Sequence, residues 1–235
     1  MHKSIFVSST FRDFQTERNL IQNQVELQVN ERLREIRVSF VDLRWGIDTS
    51  LLESESGSRK VLDVCLDEID RCQPPMVVIL GYRYGWIPSQ TLVETTANRY
   101  ALNLDDLEKS VTALEIEYGA LADPARLKNT LFYFREIQGT PPADFLPEDA
   151  AHAARLETLK NRIRQLTGDR VRTYTLRWEQ DQLLGAEAFA DMLCQDLAEI
   201  LQPQWDLYDA MTPFQKELQT HENYMQEKAA VFRAR

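Results

Sequence analysis

The run Met76-Val-Val-Ile-Leu-Gly81 carries no polar side chain and is too short to make a useful helix. A strand that is apolar at every position has to be covered on both faces, and that arises where helices pack on the two sides of a parallel sheet. This run is therefore expected to be the central strand of such a sheet. The rest of the chain supplies what it needs in alternation. Strands are predicted at residues 5–7, 36–43, 131–134 and 171–176, and helices at 12–35, 61–69, 110–119, 156–166 and 186–201. Pro74-Pro75, Gly168 and Pro203 are placed to stop three of these helices. Residues 89–109 read as loop with room for a short helix, and 139–151 as a proline-rich connection. Five strands alternating with helices predict an α/β fold. The expected form is a five-stranded, mostly parallel, doubly wound sheet of flavodoxin-like order with right-handed crossovers.

A chain of 235 residues is large for one ordinary domain and small for two. The expected division is an α/β domain over 1–202 and a charged helical linker over 203–235. A hydrophobic content of 43% fits a folded globular protein. The net charge of -10 leaves no basic stripe to displace counterions from phosphates, so direct nucleic-acid binding is not expected. No apolar run approaches the roughly 18 residues a membrane span needs. Met1-His-Lys leads straight into a strand rather than a signal peptide, which places the chain in the cytoplasm. Cys65, Cys72 and Cys194 lack metal-ligand spacing and read as reduced core thiols.

The chemistry-bearing residues gather at predicted strand ends. Ser8, Ser9 and Thr10 follow the first strand and precede a helix, where they can cap that helix or line a ligand site. Asp42-Leu-Arg-Trp-Gly46 ends the second strand with groups that need partners, and an ion pair of Asp42 with Arg44 or another basic residue is the plain structural use of it. Tyr82-Arg-Tyr-Gly-Trp-Ile-Pro88 follows the third, as a platform for a planar ligand or as a packed corner. Thr112 and Glu115 have capping-box spacing, which is the structural use of Glu115. No Walker loop, metal-ligand cluster or Ser/His/Asp set is present.

Four motifs taken together carry a resemblance. Ile5-Phe-Val-Ser-Ser-Thr-Phe-Arg-Asp13 with Glu17-Arg18, Val41-Asp-Leu-Arg-Trp-Gly46, Leu80-Gly-Tyr-Arg-Tyr-Gly-Trp86 and Ser110-Val-Thr-Ala-Leu-Glu115 resemble the TIR-like domain at the N-termini of many STAND/NACHT NTPases. That group includes bacterial antiviral proteins and animal telomerase-associated and nephrocystin-type proteins of innate immunity. The resemblance implies a hydrolase that cleaves the nicotinamide–ribose bond of NAD, with NAD as substrate and no further cofactor. It implies Glu115 as the catalytic carboxylate, with Ser8, Ser9, Thr10, Arg12, Arg44, Trp45, Tyr82, Tyr84 and Trp86 lining the cleft. Nicotinamide leaves as a neutral molecule, so one carboxylate suffices. Glu117 is about 200° around the helix from Glu115, so only one of the two can face the cleft. The resemblance also implies self-association, driven by an NTPase module following the linker, as the step that switches activity on. The stretch Gly46-Ile-Asp-Thr-Ser-Leu-Leu-Glu-Ser-Glu-Ser-Gly57 departs from the compact loop of many TIR domains. Two other functions fit the same residues: a non-catalytic protein-interaction module, and a nucleoside or nucleotide N-glycosidase using the same glutamate.

Overall fold

The computed structural model describes residues 2–33, 36–43, 55–72 and 74–233. Its core is one sheet in the order β2-β1-β3-β4-β5-β6. The strands are β1 (His2–Ser8), β2 (Arg37–Val41), β3 (Met76–Leu80), β4 (Thr130–Gln138), β5 (Val171–Glu179) and β6 (Gln182–Leu184). The first four pairings are parallel and the β5–β6 pairing is antiparallel. All five residues of β3 are buried, as an apolar central strand requires.

Alternation along the strands divides the core into two layers. Ile5, Val7, Val77, Ile79 and Tyr133 point to one face. There they meet Ile21, Val25, Val29 and Leu33 from the helical run 15–33 and Phe189, Leu193, Leu197 and Leu201 from α8 (Ala186–Asp209). Phe6, Val78, Leu80, Phe132 and Phe134 point to the other. They pack against Leu66 and Ile69 of α3 (Glu55–Arg71), Ala113 and Ile116 of α5 (Val111–Ile116), and Leu159 and Ile163 of α7 (Ala150–Thr167). Each fully buried large apolar side chain contributes about 1.5–3 kcal/mol, so both layers are needed to offset the ordering of the backbone.

The sheet has six strands rather than the five expected, and its last pairing is antiparallel. The added β6 folds back on β5 through Gln180 and Asp181, both with positive φ (50° and 58°). A two-residue turn of that kind usually announces itself with Asn-Gly or Asp-Gly, and here neither residue is glycine or asparagine. Residues 89–109 contain α4 (Gln90–Arg99), started by the Ser89 hydroxyl accepting from the Leu92 amide. Pro203 does not close its helix. It lies inside α8, which runs on to Asp209 and buries Tyr208, while the Gln204 side chain accepts a 2.8 Å bond from Lys3. A proline there removes one backbone bond and is carried by that tertiary packing. The chain breaks at 210–212 instead, and α9 (Pro213–Arg233) follows. The three cysteines are free thiols, Cys65 and Cys72 buried and Cys194 partly so. No helix among the described residues is long and apolar enough to cross a membrane.

Candidate functional site at the carboxyl edge of the sheet

In parallel sheets ligands collect beyond the carboxyl ends of the strands, so the end of β1 comes first. Ser8, Ser9 and Thr10 are all buried. None of them caps the helix that follows. Helix α1 (Gln15–Leu20) has Phe14 at its N-cap with no side-chain cap bond, and it continues through a π-helical turn, Ile21–Val25, into α2 (Glu26–Leu33). The three hydroxyls are committed elsewhere. Ser8 Oγ donates to Glu115 at 2.6 Å, Ser9 Oγ accepts from Arg18 Nε at 2.8 Å, and Thr10 Oγ1 donates to Asp13 at 2.5 Å.

Glu115 reaches Ser8 because α5 starts where it does. Its N-cap is Ser110, whose hydroxyl accepts from the Ala113 amide at 3.2 Å. The capping box of Thr112 with Glu115 does not form. Glu115 lies one turn further along, on the face turned to β1, and is 4% exposed. Burial pushes its carboxyl above the ordinary range, opposed by the Ser8 hydroxyl, the nearby Arg18 charge and a hydrogen bond with the Cys65 thiol. The same contact and its own burial hold the Cys65 thiol well above the usual thiol range. Glu117 turns to the other side, where Arg162 bonds it and Lys109 lies 3.7 Å away. The two glutamates do occupy different faces, and only Glu115 faces the strand end.

Two buried arginines organise this edge, and neither was among the residues expected to line the site. Arg18 bonds Asp42 at 2.7 Å, so the partner of Asp42 comes from α1. Arg135, at the carboxyl half of β4, bonds Asp13 at 2.6 Å and Glu17 at 2.9 Å and stacks on Phe14 with its guanidinium carbon 3.9 Å from the ring centre. Tyr174 on β5 donates to the same Glu17 oxygen at 2.9 Å. Gly81 leaves room for this cluster, because a Cβ there would sit 2.9 Å from Arg135 Nη2 and 3.1 Å from Asp13 Oδ2. An arginine directly after Leu131-Phe-Tyr-Phe was the available signal, since a guanidinium at a buried strand end demands carboxylates.

The aromatic loop after β3 is mostly a packed corner. The Tyr82 hydroxyl accepts from the Ile137 amide at 2.9 Å, tying the loop to β4. Tyr84 is buried, its hydroxyl donates to the Glu108 carbonyl, and burial pushes it up to about 12. Arg83 pairs with Glu148, and the Lys160 ammonium donates to the Gly81 carbonyl at 2.6 Å. Trp86 is 37% exposed and is the ring of this loop that reaches solvent. Arg12 is exposed and 3.5 Å from Asp144. Arg44 and Trp45 lie outside the described residues.

The edge therefore brings together Ser8, Ser9, Thr10 and Glu115, with Arg18, Asp42 and Cys65 around them. Chemically it holds one carboxyl, Glu115, that accepts from the Ser8 hydroxyl beside the Cys65 thiol, with no cation bonded to it. A cavity of about 320 Å³ lies at the opposite edge, at the amino ends of β3 and β4, lined by Phe6, Cys72, Met76, Gly119 and Arg126 among others. A second, shallower depression lies between α2 and α8.

Comparison with known proteins gives the following relatives. Residues 4–192 match a family described as Domain of unknown function (DUF4062). Telomerase protein component 1 of Mus musculus is 30% identical over 217 residues, covering 85% of this chain and 8% of that protein. The protein of the same name from Rattus norvegicus is 29% identical over 218 residues, 86% of this chain and 8% of its own length. A TPR repeat-containing protein of Dictyostelium discoideum is 30% identical over 177 residues, 68% of this chain and 10% of its own. The chain thus spans a tenth or less of the length of these relatives. No solved structure matches.

Proposed function

The chain belongs to the DUF4062 family, and from that premise we propose that it is a TIR-like effector domain that cleaves the nicotinamide–ribose bond of NAD, with Glu115 as its working carboxylate. The observation that carries this reading is the Ser8–Glu115 contact of 2.6 Å at the carboxyl end of β1. An acidic side chain there has no bonded counter-cation, so once ionised its charge is available to the positive charge that an N-glycosidic cleavage develops. The bond breaks with its electron pair going to the nicotinamide ring, which leaves neutral. The ribose carbon is left as an oxocarbenium ion, which Glu115 stabilises until water adds and loses a proton. The products are nicotinamide, ADP-ribose and one proton.

Glu115 is 4% exposed, so substrate must meet a different arrangement of this edge. Clustering of several domains, driven by an NTPase module of a larger protein, supplies that bias by favouring a rarer open conformation. Support comes from the small share of its long relatives that the chain covers, which is what one module of a multidomain protein covers. The test is nicotinamide release from NAD by this domain artificially clustered on a scaffold, beside Glu115→Ala and Glu115→Gln. Release by the parent and loss in both variants is the expected result. No release from the clustered parent would sink the reading.

A second reading, a non-catalytic interaction module, is favoured by one observation: Glu115 is buried and Tyr82 and Tyr84 serve packing. It predicts partner binding through exposed groups such as Trp86 that is untouched by Glu115→Ala. A nucleoside N-glycosidase would show base release from a nucleotide panel with NAD left intact.

A further inference from the structure

The cavity at the amino edge of the sheet lies beyond the first residues of β3 and β4, on the face covered by α3 and α5. Its floor is apolar. Phe6 of β1, Ile69 near the end of α3, Cys72 just past it and Met76 at the start of β3 line it, and all four are buried. A Cβ added at Gly119 would sit 2.6 Å from Met76 Sδ and 3.1 Å from Ile69 Cγ2. The π-helical turn Glu117–Leu121 therefore lies directly on β3, and the unbranched Met76 side chain is the wall that can adjust to a guest. Burial pushes the Cys72 thiol up to about 12, so the floor carries no charge near neutral pH.

The rim is polar, and its donors are engaged. Arg126 bonds Asp70 at 2.9 Å, lies 4.0 Å from Asp123 and stacks on Tyr118 with its guanidinium carbon 5.0 Å from the ring centre. The Asn129 amide donates to the Ala125 carbonyl and the Thr130 hydroxyl to the Arg126 carbonyl, both at 2.9 Å. Each keeps an oxygen able to accept, Asn129 Oδ1 and Thr130 Oγ1. Two carboxylates stand against one guanidinium, which disfavours an anionic guest. An apolar cavity of about 150 Å³ holds benzene, so one of about 320 Å³ has room for a fused pair of rings.

We propose that this cavity is a binding site for a neutral bicyclic aromatic molecule with one hydrogen-bond donor: the rings lie on Phe6, Ile69 and Met76, and the donor reaches Asn129 Oδ1 or Thr130 Oγ1. The site is independent of any role of Glu115.

The experiment is a titration of the whole chain with indole, followed by two-dimensional amide NMR. Beside it stand N-methylindole, which lacks the donor, and an indole carboxylate, which adds a negative charge. Indole is expected to give saturable shifts at the amides of Ile69, Cys72, Met76 and Gly119. N-methylindole is expected to bind about fivefold more weakly, the effect of one lost hydrogen bond, and the carboxylate more weakly than indole as well. Cys72→Met lengthens a floor side chain and is expected to abolish the saturable shifts. If that variant does not fold, Ala125→Leu, on an exposed lining residue at the mouth, takes its place with the same expectation. Absence of a saturable shift at these amides up to the solubility limit of indole overturns the proposal. So does equal binding of N-methylindole or of the carboxylate, and so do shifts that survive the filling substitution in a folded variant.

Discussion

Two clusters of buried carboxylates begin two residues apart in sequence, at Ser8 and at Thr10, and they handle charge in opposite ways. From Thr10 the chain leads to Asp13 and Glu17, both bonded by Arg135, with Tyr174 closing the far side. The bonds of Arg135 and Tyr174 join the start of α1 and the loop before it to β4 and β5, while Thr10 holds Asp13 locally. The cluster is a clasp, and even so it leaves Glu17 Oε2 and Arg135 Nε without a partner among the described residues. From Ser8 the chain leads to Glu115, which has a hydroxyl and a thiol bonded to it and a cation near it but unbonded. The clasp spends its positive charge on holding elements together. The Glu115 cluster keeps a carboxyl in low dielectric with no cation bonded to it, so its ionisation is costly for stability and useful for chemistry.

The largest effect that tests this contrast is on the clasp. Arg135→Met removes one cation and leaves two carboxylates buried beside each other, an arrangement that typically costs about 3–5 kcal/mol. Urea denaturation of the variant at neutral pH is expected to show that loss, with the midpoint lowered and the slope unchanged. A loss below about 1 kcal/mol would mean that the two acids find water or protons easily, and the clasp would not be a clasp.

The sequence made the elements legible and left the partnerships dark. The apolar run at 76–80 placed β3 and the two-sided core because its physical demand is local. The sixth strand was invisible because its turn uses Gln180 and Asp181 without the glycine that marks most such hairpins. Pro203 misled for the opposite reason: its signal is strong and local, and packing of Tyr208 and Gln204 overrides it. At the site, Ser8, Ser9, Thr10 and Glu115 could be named from motif positions. Their bonds could not, since Ser8 and Glu115 are 107 residues apart and the competing capping box looked as good on spacing. Arg18 and Arg135 were overlooked because a charged residue in a sequence reads as surface until the fold buries it.

A smaller effect separates the clusters by pH. With two acids to one bonded cation, burial pushes Asp13 up from 3.8 to about 6, despite the pull of Arg135 and the Thr10 hydroxyl. A carboxyl with a raised value binds its proton more readily folded than unfolded, so the stability it contributes is full below about pH 4 and falls as pH rises to about 6. The difference in unfolding free energy between the parent and Asp13→Asn isolates it. The parent is expected to lose on the order of 2–3 kcal/mol relative to the variant across that window and to change little above it. A flat difference would show that Arg135 neutralises Asp13 fully.

The smallest effect on stability belongs to Glu115, and its sign is the sharper test. Glu115→Gln keeps an oxygen to accept from Ser8 and removes the charge that burial disfavours. The unfolded chain ionises at the ordinary carboxyl value and the folded one only at the raised value, so the variant gains between the two as pH rises and gains no more above the raised value. Measured near neutral pH, Glu115→Gln should match the parent or exceed it by up to about 1 kcal/mol, while any nicotinamide release disappears. Arg135→Met and Glu115→Gln then differ in sign as well as size, although both alter one charged group buried at the same sheet edge. If Glu115→Gln instead weakens the fold as Arg135→Met does, Glu115 is a second clasp. Its bond to Ser8 would then be explained by fastening α5 to β1 alone.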